Sequence, residues 1–210
     1  MSEKEIILTG FEPFGESKTN PTSKLCEKIN NKMFRGYKII SYIIPLHFNK
    51  INEFIEKIFE SHIPSAFIAT GQSNRDRISI ERVAINFADA RIPYNCGTKP
   101  QEQKLFSDGP VAYWSTLPVR KIKEKMIENN IPTELSYSAG TYGCNQLFYS
   151  LMHYITRKRI NIPAGFIHVP SLPEQALNKK LPSMSLELIE KGIKVAIETV
   201  IIDLEEKNEG

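Results

Sequence analysis

Short apolar runs alternate along this chain with segments whose apolar residues recur every three or four positions. Residues 5–9 form an apolar run that stops at Gly10, and 66–70 form another that stops at Gly71. Runs this short, closed by glycine, predict buried strands. The β-branched and aromatic stretch 38–45 predicts a strand, as do 133–138 and 165–169, the last closed by Pro170. Between them, Ile51, Phe54, Ile55 and Ile58 mark one face of a helix over 49–60. Leu147, Phe148, Leu151 and Ile155 do the same over 144–157. Asn20 before Pro21 is a cap followed by a proline at the first helical position, which predicts a helix toward Asn30. Leu117-Pro118 opens one running to Asn129. Ser185 opens a last helix, with Ile189, Ile193, Ala196, Ile197, Val200 and Leu204 on its core face.

Two stretches resist this pattern. Residues 77–87 are strand-like but mixed in periodicity. Residues 88–110, rich in Pro, Gly, Asn and Asp, read either as a long ordered loop or as a disguised hairpin, and loops of this length usually serve a function. The alternation of strands and helices predicts one α/β domain with a mostly parallel sheet and helices on both faces. Ligands of such sheets bind outside the carboxyl ends of the strands. A functional side chain is therefore expected just after a strand.

Charge narrows the function classes. The chain has 27 Lys+Arg against 24 Asp+Glu, a net charge of only +3. Its densest basic cluster, Arg157-Lys158-Arg159, falls at a predicted helix end, where cations suit the macrodipole. No nucleic-acid surface is expected. No apolar run nears the ~20 residues that span a bilayer, and the charged start is unlike a signal peptide. The three cysteines, Cys26, Cys96 and Cys144, cannot all pair with one another. They are expected as reduced thiols in the cytoplasm.

Cys144 meets the strand-end expectation. It follows a predicted strand through Gly140 and Gly143 and opens a helix. The positive end of the helix dipole favours a thiolate there, and the glycines let backbone N–H groups approach a developing oxyanion. A buried structural cysteine is the competing reading. Cys26, inside a helix, and Cys96, in the long loop, have no such setting and read as structural. His168 closes the strand after the Cys144 helix. A right-handed crossover would make the two strand ends neighbours, giving a Cys–His pair suited to nucleophilic attack. His47, just after the strand-ending Pro45, is a rival on position alone; His47, His62 and His153 all read better as structural or surface residues. A third group should orient the imidazole, and Glu81, Asp76, Asp89, Asp108 and Glu174 are the candidates. Glu81 leads, because a carboxylate among apolar residues needs a partner or a task; an ion pair with Arg82 is the plainer alternative. Phe11 and Phe14, after the first strand, either cover the core or line an apolar ligand pocket. The glycine spacing around them matches no phosphate loop.

Six blocks carry a resemblance to a known family: Thr9-Gly-Phe-Glu-Pro-Phe-Gly15; Glu81-Arg-Val-Ala-Ile-Asn86 with Asp89-Ala-Arg-Ile-Pro93; Asp108-Gly-Pro-Val-Ala-Tyr113 with Ser115-Thr-Leu-Pro118; Ala139-Gly-Thr-Tyr-Gly-Cys-Asn145; Gly165-Phe-Ile-His-Val-Pro170 with Leu172-Pro-Glu-Gln175; and Pro182-Ser-Met-Ser-Leu-Glu187. In these, from Leu8 to about Val200, the chain resembles the pyrrolidone-carboxylate peptidases, or pyroglutamyl peptidases of type I, a cysteine peptidase family. The resemblance implies a single-domain α/β/α sandwich with a mostly parallel twisted sheet. It makes residues 1–210 one peptidase domain, of which the C-terminal ~6 residues are expected to fray. It implies hydrolysis after an N-terminal pyroglutamyl (5-oxoproline) residue through a thioester acyl-enzyme. Carried over by motif, Glu81, Cys144 and His168 form the catalytic triad, Phe11 and Phe14 flank the pyroglutamyl ring, and Arg91 lies near the site. No metal or organic cofactor is implied. The expected partners are peptides with N-terminal pyroglutamate and further copies of the chain, as a tetramer or dimer in the cytoplasm, with neither nucleic acid nor membrane. The family usually carries Gly-Gly-Arg soon after Gly71-Gln72. Here Ser73-Asn-Arg-Asp-Arg77 stands in that place, one residue shorter before Glu81, with Ile80 for the usual proline and Gly143 for a larger residue. An amidase for a small cyclic amide, and a non-catalytic binding protein on the same fold, are the alternative functions.

Overall fold

The computed structural model describes residues 4–209; residues 1–3 and residue 210, the ends of the charged start and of the segment expected to fray, lie outside the described residues. The chain begins with β1 (Lys4–Phe11), α1 (Pro21–Ile29), β2 (Met33–Phe34), β3 (Tyr37–Ile44), α2 (Ile51–Ser61), β4 (Ala66–Ser73) and β5 (Ile78–Glu81). It continues with β6 (Val83–Ile85), β7 (Ala112–Trp114), α3 (Val119–Glu128), β8 (Thr133–Ser136), α4 (Gly143–Arg157), β9 (Ala164–Pro170), α5 (Pro173–Ala176) and α6 (Leu186–Glu209). A seven-stranded sheet in the order β2-β3-β1-β4-β9-β5-β8 forms the middle layer. Strands β3, β1, β4 and β9 run parallel. The apolar runs lie in the interior of this sheet, buried by helices on each side. Helices α1, α3 and α6 cover one face, and α2 and α4 cover the other. Among the described residues no helix is long and apolar enough to cross a membrane.

Local chemistry explains how the first strand meets the first helix. The Asn20 side chain accepts the Thr22 N–H at 2.9 Å and so caps α1, with Pro21 behind it. The Thr22 hydroxyl in turn accepts the Phe11 N–H at 2.9 Å. The helix start packs so close to β1 that a Cβ on Gly10 would run into the Thr22 backbone. The end of β1 is thereby fixed, and so is the loop that follows it.

The 77–87 stretch is mixed in periodicity because it belongs to two sheets. β5 is wholly buried in the main sheet. At Arg82 the chain turns out, its N–H still held by the Ser136 carbonyl at 2.8 Å, and β6 pairs antiparallel with β7. Residues 88–110 are an ordered loop hung from that ribbon. It is closed by a bridge between Ala88 and Gln103, and the Asn86 side chain bonds the backbone of Phe106 and Gly109.

One premise of the sequence reading fails. β5 lies between β8 and β9, parallel to the first and antiparallel to the second. The strands flanking α4 therefore run in opposite directions, and the expected right-handed parallel crossover is absent. Cys144 and His168 meet for another reason: α4 packs on the face of β9 that carries Phe166 and His168.

Candidate active site

Strand register assembles the first part of the site. His168 stands opposite Gly71 on β4 and opposite Ser79 on β5. Glu81, two residues beyond Ser79, shares its face and lies diagonal to His168, within reach of a long side chain. The two meet, His168 Nδ1 to Glu81 Oε1, at 2.7 Å. Glu81 is 0% exposed and His168 4%, so water does not compete for this bond. Glu81 is the last residue of β5, and because β5 runs against β9 it stands opposite Phe166, two residues before His168.

The second part comes from the start of α4. Cys144 is its second residue. Tyr142 caps the helix in extended conformation without a side-chain bond to the helix; its hydroxyl donates to the Pro93 carbonyl at 2.8 Å instead. The N–H groups of Gly143 and Cys144, in the first turn, have no acceptor inside the helix and add to the positive end of its dipole. Asn145 fixes this helix start to β6: its carbonyl oxygen accepts the Ile85 N–H at 2.9 Å, and its amide donates to the Ile85 and Phe87 carbonyls. The turn before the helix is stapled to the long loop as well, where Asp89 and Thr141 exchange two hydrogen bonds.

Two glycines make room for the sulfur. A Cβ on Gly71 would lie 2.7 Å from Cys144 Sγ and 2.8 Å from the Phe166 ring, so the thiol rests directly on the backbone of β4. A Cβ on Gly143 would run into the Leu46 side chain. Leu46 thus occupies the volume that a larger residue before the nucleophile would take.

A cavity of about 420 Å³ opens above these groups, with Cys144 and His168 in its wall. Phe11, Phe14, Leu46 and Ile92 give it apolar sides, and Gln72, Asn74, Asp89 and Arg91 add polar ones. Both readings of the phenylalanine loop hold. Phe11 is 2% exposed and part of the core, yet its ring borders the cavity; Phe14, half-buried, does the same beside Tyr142. Glu12 between them anchors the loop, accepting the Leu46 N–H at 2.9 Å and the Asn95 amide at 2.7 Å.

Charge in the site is arranged around His168. Burial pushes its imidazolium down, but a hydrogen bond and a negative charge at Cys144, and the same from Glu81, outweigh burial and carry it up to about 9. The Tyr142 phenol is pushed up to about 12, first by burial and then by Cys144 and Cys96, so it stands neutral beside the cavity. Cys26 contrasts with Cys144: burial, aided by Glu27, pushes its thiol up to about 12.

The cation beside Glu81 is not Arg82. That guanidinium lies over the Trp114 and Tyr137 rings, 5.6 and 5.9 Å from their centroids. Arg75 takes the place instead, donating to Glu81 Oε1 at 2.8 Å and to the Ser138 carbonyl at 2.8 Å. It lies six residues away in the stretch that departs from the family pattern, and sequence reasoning passed over it. The signal was available: a buried carboxylate calls for a cation, and the short 74–77 connection supplies two. The remaining candidates fall outside the centre. Asp76 pairs with Arg77, Asp108 with Arg157 and Glu174 with Lys24, all near the surface. His62 bridges Tyr42 and Glu5, and His153 bonds Tyr113. His47 precedes α2 and is not one of the described residues lining the cavity. Among the described residues, no three His, Cys, Asp or Glu side chains are grouped to hold a metal ion.

Comparison with known proteins gives a consistent result. A family model described as pyroglutamyl peptidase matches residues 4–203. A pyrrolidone-carboxylate peptidase of Bacillus licheniformis is 44% identical over 206 residues, covering 98% of this chain and 95% of its own. One of Bacillus cytotoxicus is 46% identical, covering 94% and 93%. Among solved structures, the pyroglutamyl peptidase I of Bacillus amyloliquefaciens superposes with a TM-score of 0.92 at 41% identity, over 95% of both chains. The pyrrolidone carboxyl peptidase of Thermococcus litoralis reaches 0.94 at 36% identity, over 97% of this chain and 96% of the other.

Proposed function

The chain belongs to the pyroglutamyl peptidase family, and from that premise we propose that it removes N-terminal 5-oxoproline from peptides with Cys144 as nucleophile, His168 as acid and base, and Glu81 as the group that orients His168. The observation that carries this assignment is the hydrogen bond from Glu81 to His168, with His168 and Cys144 together in the wall of one apolar-sided cavity.

The 5-oxoproline ring is a neutral lactam without the α-ammonium of an ordinary N-terminus. Phe11 and Phe14 flank it, while Arg91 stands at the edge of the cavity. A site that bonds the lactam rejects proline, whose ring carries a charged nitrogen and no carbonyl. The Cys144 thiolate attacks the carbonyl that follows the ring. Its electron pair forms the C–S bond while the π electrons move onto oxygen, and the Gly143 and Cys144 N–H groups hold that oxyanion. Collapse of the intermediate expels the amine, which takes the proton held by His168, and a thioester remains. His168 then removes a proton from water, which attacks the thioester, and 5-oxoproline leaves with the thiolate restored. Glu81 holds the proton-bearing Nδ1 and stabilises the imidazolium.

The reading extends to a cytoplasmic dimer or tetramer. Three free thiols support a reducing compartment. Val111 and Trp114, 84% and 61% exposed on the β6–β7 ribbon, support contact with another copy. Sedimentation equilibrium tests the assembly, and a monomer at micromolar concentration contradicts it.

The activity itself is tested with aminomethylcoumarin amides of pyroglutamate, proline and alanine, each also offered to Cys144→Ser. Only the pyroglutamyl amide should be turned over, and only by the unaltered chain. Equal turnover of all three, or full activity in Cys144→Ser, contradicts the assignment.

A further inference from the structure

Arg75 joins two parts of the site that the strands alone do not join. One N–H of its guanidinium reaches Glu81 Oε1 and another reaches the Ser138 carbonyl, each at 2.8 Å. Ser138 opens the turn that ends at Cys144. Glu81 Oε1 therefore accepts from Arg75 and from His168 together, while Glu81 Oε2, buried, has no hydrogen-bond partner among the described residues. The carboxylate is held by one oxygen, and the guanidinium is its cation.

We infer that Arg75 is a positioning residue for the reaction: it compensates the Glu81 charge when His168 is neutral, and it ties the acid to the turn that carries the nucleophile. The inference rests on the catalytic roles assigned above. Before attack, thiolate, imidazolium, Glu81 and Arg75 sum to zero charge. Once His168 has given its proton to the leaving amine, sulfur is a neutral thioester and the imidazole is neutral. Glu81 then keeps its negative charge in a wholly buried place, and Arg75 is the positive charge bonded to it. A carboxylate left alone there would turn toward water or take a proton, and would no longer hold Nδ1. Arg75 is not among the described residues lining the cavity, so it acts through Glu81 and not on the substrate.

The test compares Arg75→Met and Arg75→Lys with the unaltered chain on pyroglutamyl-aminomethylcoumarin, with rates expressed per titratable Cys144. Arg75→Met should lower kcat about 10- to 100-fold, the size of a lost charge-assisted hydrogen bond, while KM stays level or falls. Arg75→Lys restores the charge without the two-pronged reach and should fall between. The inference is overturned by any of four results: kcat within twofold of the unaltered chain; a raised KM at constant kcat, which assigns Arg75 to the substrate; a lowered melting temperature with kcat per titrated thiol unchanged, which makes it merely structural; or Arg75→Lys no better than Arg75→Met. An unaltered chain inactive on the substrate overturns the assigned reaction instead, so the two failures are distinguishable.

Discussion

The two faces of the central sheet share the same strands, and each faces a cysteine-bearing helix, yet only one cysteine is equipped to react. Under α1, α3 and α6 the buried side chains are nearly all aliphatic, from Ile6 and Leu8 to Ile193 and Ile197. Cys26 lies among them, 2% exposed and in the second turn of its helix, with a thiol pushed up to about 12 by burial and then by Glu27. Under α2 and α4 the rings of Phe11, Phe67, Tyr94, Phe148, Tyr149 and Phe166 join the aliphatic side chains of the core. Cys144 lies there at a helix start, over a strand glycine, beside an imidazolium and a cavity. Branched aliphatic side chains close one face completely. Rings, glycines and a helix end leave the other face with room for a ligand and with unbonded N–H groups. The reactivity of a thiol here is set by helix position and neighbours, not by burial in a core as such.

The largest test of this contrast exchanges the sulfurs. Cys144→Ser should lose about 10⁴-fold or more in kcat/KM with its fold intact, since the members of such a unit fail together. Cys26→Ala should keep kcat within twofold and lose only about 1 kcal/mol of stability from missing packing. Comparable activity losses in the two variants would erase the distinction between faces. Next in size, Glu81→Gln should cost about 10³-fold in kcat, by presenting the wrong hydrogen-bond partner to Nδ1; circular dichroism and active-site titration check that the site is otherwise formed.

A smaller and sharper test adds one methyl group to each face. Gly71→Ala places it against Cys144 Sγ and the Phe166 ring, and the displaced sulfur should cost about 10- to 100-fold in kcat. Gly192→Ala places it against the Ile78 side chain on the aliphatic face. It should cost about 1–3 kcal/mol by overpacking and leave kcat per active site alone. Equal kinetic effects would show that strain spreads through the sheet.

The smallest effect is on stability. The folded His168 titrates near 9, against an ordinary value of 6.5. Its stabilising contribution is therefore complete below the unfolded value and is lost as pH rises through about 9. Cys26, at about 12, does not titrate in that window. A decline in melting temperature between pH 6.5 and 9 should be present in the unaltered chain and reduced in His168→Ala.

Much of this contrast was legible in the residues themselves. Helical spacing and short apolar runs located the main elements, because burial on one face imposes a period that a sequence records. Cys144 and His168 stood out by their place at a helix start and a strand end. The rest depends on contacts across the chain. The reversal of β5 that brings Glu81 under His168 leaves no mark on periodicity, since a strand has the same pattern in either direction. Adjacency makes Arg82 the plainer ion-pair alternative for Glu81, but neighbouring residues along an extended chain point to opposite faces, and Arg75 reaches back from the preceding connection. Gly71 read as a strand terminator, and its position beneath the sulfur became visible only with α4 in place. The space taken by Leu46 explains Gly143 in the same way.

The most direct measurement is site-resolved alkylation. The folded chain is treated with limiting iodoacetamide at pH 7, and labelling of Cys26, Cys96 and Cys144 is followed by peptide mass spectrometry alongside pyroglutamyl-aminomethylcoumarin hydrolysis. Cys144 should be labelled at least about tenfold faster than Cys26, as expected for a thiolate against a thiol, and activity should fall in step with it. Labelling of Cys26 or Cys96 at an equal rate, or hydrolysis that persists once Cys144 is fully alkylated, would contradict the account.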